Sequence, residues 1–111
     1  MVDINEAKER FAQLLEGQRK RVAAMRAQGD FVDYAKLEQI VIGVCGGDGI
    51  GPVITHEAER VLRFLLKSDV ERGRIVFKEI DGLTIERRAE LGCAIPPDVM
   101  EELKKCHVIL K

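Results

Sequence analysis

The segment Gly46-Gly47-Asp48-Gly49-Ile50-Gly51-Pro52 stands between an apolar, β-branched run, Ile40-Val41-Ile42-Gly43-Val44-Cys45, and a stretch with helical periodicity. A strand, a glycine turn and a helix start, in that order, constrain the chain to an architecture built from βα junctions. Glycine adopts positive φ and admits close backbone approach, and Pro52 suits the first helical position, where a missing N–H costs nothing. Such a turn exposes free backbone N–H groups beside a helix N-terminus, which favours an anionic or polar ligand. Two nucleotide fingerprints are excluded. Counted from Gly47, the third glycine of G-x-G-x-x-G falls on Pro52, and counted from Gly46 the second falls on Asp48. No Lys-Ser or Lys-Thr pair follows the glycines, so a P-loop is excluded as well.

From Ile40 onward strand and helix patterns alternate. Ile54, Ala58, Val61, Leu62, Leu65 and Leu66 recur at helical spacing and are expected to form the buried face of a helix that fades over residues 67–69. Residues 75–80 read as a second strand, 84–91 as a short helix ended by Gly92, 97–105 as another helix opened by Pro97, and 107–111 as a third strand. Strands joined by helical crossovers imply a parallel βαβ sheet. In the order 2-1-3, a switch point lies between strands one and three, and ligands bind at the carboxyl ends of strands at such a point. The glycine turn and Lys111 would then form opposite lips of one crevice.

Ahead of this α/β region, Asp3 and Glu6 have the D-x-x-E spacing of a capping box, and Ile4, Ala7, Phe11, Leu14, Leu15, Val22 and Met25 form one stripe. That is a long amphipathic helix with Gly29 as its stop, followed by a short helix or ordered connector over residues 30–39. Two regions result: a helical extension over 1–39 and the first part of an α/β domain over 40–111. The apolar stripe of the extension needs cover from its own domain or from another chain.

Composition narrows the function classes. A chain of 111 residues with 46% hydrophobic content supports one modest core. Eighteen basic and nineteen acidic residues leave a net charge of -1, which gives no electrostatic case for nucleic acid or an anionic membrane. The basic triplet Arg19-Lys20-Arg21 reads as solvated helix surface. No apolar run approaches the ~20 residues of a membrane span, and no leader pattern opens the chain. Three cysteines without C-x-x-C spacing argue against a disulfide framework or zinc site, so a reducing, cytoplasmic location is expected. Cys106 and His107 are adjacent near a strand start and point in different directions, which favours packing over a metal pair. His56 falls off the apolar face and reads as a surface histidine.

The segment from Ile42 to Pro52, with Ala58, Val61 and Leu62 after it, resembles the opening of the β-decarboxylating dehydrogenases, the isocitrate and isopropylmalate dehydrogenase family. Ile95-Pro96, Val99, Leu103-Lys104 and His107-Val108-Ile109-Leu110-Lys111 resemble that family's second landmark, a helix feeding a strand that ends in Lys or Gly before a Gly-Pro turn. The resemblance covers residues 40–111, and Val53 stands where the family usually carries glutamate. It implies a dimeric, two-domain enzyme that uses NAD or NADP with Mg²⁺ or Mn²⁺ to oxidise and decarboxylate a malate-like 2-hydroxy acid. On this resemblance Gly49, Ile50 and Gly51 are cofactor-side residues, and Lys111 is a substrate-side residue that favours isocitrate over isopropylmalate or homoisocitrate. The family's catalytic and metal-binding residues come after the second landmark, so no catalytic or metal-ligating residue is assigned here. The chain is therefore expected to be an N-terminal segment, inactive alone, either of an active dehydrogenase or of a non-catalytic regulatory subunit of a hetero-oligomeric one.

Overall fold

The computed structural model describes residues 1, 3–29 and 31–111, which form two compact units, Met1–Asp33 and Tyr34–Lys111. The first holds α1 (Ile4–Ala27), whose every residue is exposed. Asp3 caps it by accepting from the Asn5 N–H at 2.9 Å, while Glu6 turns outward to pair with Arg10 at 2.6 Å. The expected capping box does not form, because the acid at its fourth position finds a cation one helical turn ahead. Within its own unit, α1 rests on its own hydrogen bonds and on exposed ion pairs of small worth. Its amides are expected to exchange with solvent about a hundredfold faster than those of the central strand of the second unit. Equal protection of the two by hydrogen–deuterium exchange would sink that expectation.

The second unit is α/β, with a three-stranded parallel sheet. Its elements are β1 (Ile40–Val44), α2 (Gly51–Leu65), α3 (Lys67–Glu71), β2 (Ile75–Glu79), α4 (Ile85–Leu91), α5 (Pro97–Lys104) and β3 (Val108–Leu110), after a 3-10 turn at Tyr34–Lys36. The pairing is parallel, as the alternation of patterns implied, and the order is β2-β1-β3, the arrangement that puts a switch point between β1 and β3. Ile40 pairs with Ile75 and Val44 with Glu79 on one side, and Ile42 pairs with Val108 on the other. The segment before β1 belongs with this unit. Tyr34 donates its hydroxyl to the His107 carbonyl at 3.2 Å, and Gln39 donates to the Gly73 carbonyl at 3.1 Å.

Helices cover both faces of β1. Val44 lies under α2, and Cys45 is buried with Ile80, Leu83 and Val99, so that α5 closes the opposite side. Gly43 is required there: a Cβ would meet Sγ of Cys106 at 2.8 Å. The entry to β3 is fixed by His107, whose N–H donates to the Val41 carbonyl and whose Nδ1 accepts from the Val41 N–H, both at 2.9 Å. Cys106 Sγ meanwhile donates to the Glu102 carbonyl at 3.4 Å. The two neighbours are thus engaged separately in structure, and among the described residues no group of three His, Cys, Asp or Glu could hold a metal.

The face of α2 differs from expectation. Thr55, Ala58, Glu59, Leu62 and Leu66 turn inward, whereas Ile54, Val61 and Leu65 remain 57, 58 and 69% exposed. Thr55 is anchored by its hydroxyl, which donates to the Gly51 carbonyl at 2.5 Å, and the apolar arc of α2 is wider than one face of a three-stranded sheet covers. The helix also ends sooner, at Leu65, and α3 follows after one residue.

On the α5 side, Glu102 accepts hydrogen bonds from Lys105 at 2.6 Å and from Lys78 of β2. These two cations, Lys105 foremost, hold its carboxyl down to about 2 from the ordinary 4.5. A depressed carboxyl stabilises the fold above its unfolded value and loses that contribution as pH falls through the folded one. Acid titration of the wild-type chain should therefore show a stability loss between about pH 4.5 and 2 that Glu102→Gln lacks. Identical acid profiles would remove Glu102 as a clamp between β2 and α5.

Candidate functional site

The carboxyl ends of all three strands open on one side of the sheet, and the turn after β1 lies at their centre. Gly47 and Gly49 hold φ of 67° and 61°, the left-handed region that favours glycine. The Gly51 N–H closes the turn by donating to the Asp48 carbonyl at 3.0 Å, and Pro52 enters α2 near its start. Among the described residues, no partner within the chain takes the N–H groups of Gly47, Gly49 and Ile50. The space beside Gly49 is open, and Ile50 is exposed at the helix start. Free donors and an apolar side chain thus stand at the N-terminus of a fifteen-residue helix, where partial positive charge gathers.

Lys111 comes from the far end of the chain to the same place. A Cβ on Gly47 would sit 3.3 Å from Nζ of Lys111 and 3.8 Å from the Leu83 carbonyl oxygen. Burial pushes the neighbouring Cys45 thiol up, and the Lys111 charge acts on it in the opposite direction. All four residues singled out from the sequence, Gly49, Ile50, Gly51 and Lys111, therefore lie on or beside one turn. A cavity of about 210 Å³ between Ile54, Ala58, Leu110 and Lys111 continues the crevice along α2. A second cavity, of about 300 Å³, lies toward β2 and is lined by Val44, His56, Glu59 and Glu79 among others. His56 is exposed, as its position off the apolar face implied.

Three residues at this site were not legible as such. The Asp48 Oδ1 accepts the Ile85 N–H at 3.0 Å and so caps the start of α4 thirty-seven residues on. Leu83 borders Gly47 through its carbonyl. Arg88, on α4, donates from Nη2 to that same carbonyl at 3.4 Å. The available signal was topological: the loop after β2 leaves the sheet at the same end as the glycine turn. No family model, no curated protein and no solved structure matches this chain.

Proposed function

We propose that this chain is the N-terminal segment of an NAD(P)-dependent β-decarboxylating dehydrogenase that acts on isocitrate, works as a homo-oligomer, and takes its metal ligands and acid/base groups from residues beyond this segment. The observation that supports it most is the meeting of Lys111 with the glycine turn at the carboxyl ends of β1 and β3. Family resemblance puts cofactor on one of these features and substrate on the other, and the sheet order brings them together. The N–H groups of Gly49 and Ile50, which have no partner among the described residues, suit phosphate or polar nucleotide oxygens, and exposed Ile50 offers apolar surface to a base. The exposed Ile54, Val61 and Leu65 of α2, with Val108 and Ile109 of β3, give further apolar surface of the kind that the rest of a larger dehydrogenase domain would cover. A divalent cation would supply Lewis-acid polarisation of the substrate oxygen, and no residue of this segment is assigned to hold it. The role of this segment is to bind and orient: the turn holds the cofactor side, and the Lys111 ammonium faces the substrate side.

Titration of the isotopically labelled chain with NAD⁺ and NADP⁺ is expected to shift the amide resonances of Gly49, Ile50 and Gly51, while the chain alone reduces neither nucleotide in the presence of isocitrate and Mg²⁺. An absence of shifts at that turn would sink the cofactor assignment. Turnover by the purified segment would overturn the assignment of the chemistry to residues beyond it.

A further inference from the structure

The guanidinium of Arg88 is out of balance with its surroundings. Arg88 is half-buried, its Nε is fully buried with no hydrogen-bond partner among the described residues, and the one side-chain hydrogen bond it makes among them is the 3.4 Å bond to the Leu83 carbonyl. Arginine is always charged, and a buried charged donor without an acceptor is costly. The residue beside it is not so placed: Arg87 reaches Asp98 at 2.5 Å. Lys111 is similarly unmatched, since among the described residues neither Arg88 nor Lys111 has a carboxylate partner. The nearby acid, Asp48, spends an oxygen on Ile85.

These two cations bracket one point. Arg88 donates to the Leu83 carbonyl, whose oxygen would lie 3.8 Å from a Cβ on Gly47, and Lys111 Nζ would lie 3.3 Å from the same point. Gly47 leaves room there that a side chain would fill, at 3.3 Å from the ammonium. We infer that Arg88 and Lys111 together form an anion-holding pair across Gly47, taking one carboxylate or phosphate group of the crevice's ligand. Arg88 supplies a planar fork suited to paired oxygens, and Lys111 supplies a point charge on a flexible stem. The inference rests on the reading of this crevice as ligand-facing and adds to it a residue from α4, well before the segment's second landmark.

The labelled chain is titrated separately with isocitrate, as the carboxylate source, and with pyrophosphate, as the phosphate source, following the Gly47 and Leu83 amides and the Arg88 Nε–H. Saturable shifts at these groups are expected with at least one of the two, and the one that saturates identifies the source. Arg88→Gln should weaken that binding by about tenfold, the loss expected for a charge-assisted contact. Arg88→Lys keeps the charge, guards against a simple folding failure, and should lie between the two. No saturable shift with either anion, or equal affinity in wild type and Arg88→Gln, would overturn the inference. Anion binding that depends on Lys111 alone removes Arg88 and leaves the dehydrogenase reading standing. Binding that depends on Arg88, in a chain whose glycine turn ignores both nucleotides, does the reverse.

Discussion

Gly51→Ala is expected to destabilise the α/β unit by about 3 kcal/mol, at the upper end of the cost of overpacking, and to abolish ligand response at the turn. A Cβ at this position would lie 2.1 Å from the Gly46 carbonyl oxygen and 3.3 Å from its carbon. Both are backbone atoms, so no side-chain rotation relieves the contact. Either the turn opens or α2 shifts away from β1, and the Gly51 bond to Asp48 is lost with it. Gly49→Ala is the matched control. It meets open space and suffers only from a φ of 61°, which costs about 1 kcal/mol. Urea melts of the two variants measure the difference. Equal losses would mean that the close approach of Gly46 and Gly51 does not hold the turn together.

In the active dehydrogenase that the proposed function describes, Lys111→Met should lower kcat/KM for isocitrate by roughly ten- to a hundredfold while leaving the thermal melt within a degree or so. Methionine keeps the aliphatic stem and removes the charge, so the loss is that of one charge-assisted hydrogen bond, about 1.5–3 kcal/mol. Lys111 is exposed and makes no ion pair among the described residues, so structural stability has little to lose. Steady-state kinetics beside a melt separate the two effects. Unchanged kinetics with an unchanged melt would make Lys111 ordinary surface, and the preference for isocitrate would lose its main support.

Much of the fold was readable because period and punctuation agreed. The β-branched run before the glycines, the stop at Gly92 and the entry at Pro97 each matched a boundary, since each uses a local conformation that few residues adopt. Parallel pairing followed from connection rules, whereas the order β2-β1-β3 is one of the arrangements those rules allow. The inward face of α2 was not readable. Ile54, Val61 and Leu65 are as apolar as residues that do face the sheet, and periodicity cannot say which of two adjoining stripes a three-stranded sheet has room for. The site was legible where it was made of glycines and a strand end. Asp48 and Arg88 escaped because their partners, Ile85 and Leu83, are tertiary and leave no trace in spacing.

The two borders of the sheet are unequally defended against other chains. β2 ends in Lys78 and Glu79, charged residues of the kind that discourage a stray strand from aligning alongside. β3 has only Val108, Ile109 and Leu110, the first two exposed, and β1 satisfies its backbone on one side alone. At high concentration that flank is a template: two molecules meeting there gain ladder hydrogen bonds and cover β-branched side chains together. Edge-to-edge assembly, with strand signal rising as the chain is concentrated, is the failure to which this unit is most exposed, and a lysine in place of Ile109 is the smallest change that would block it.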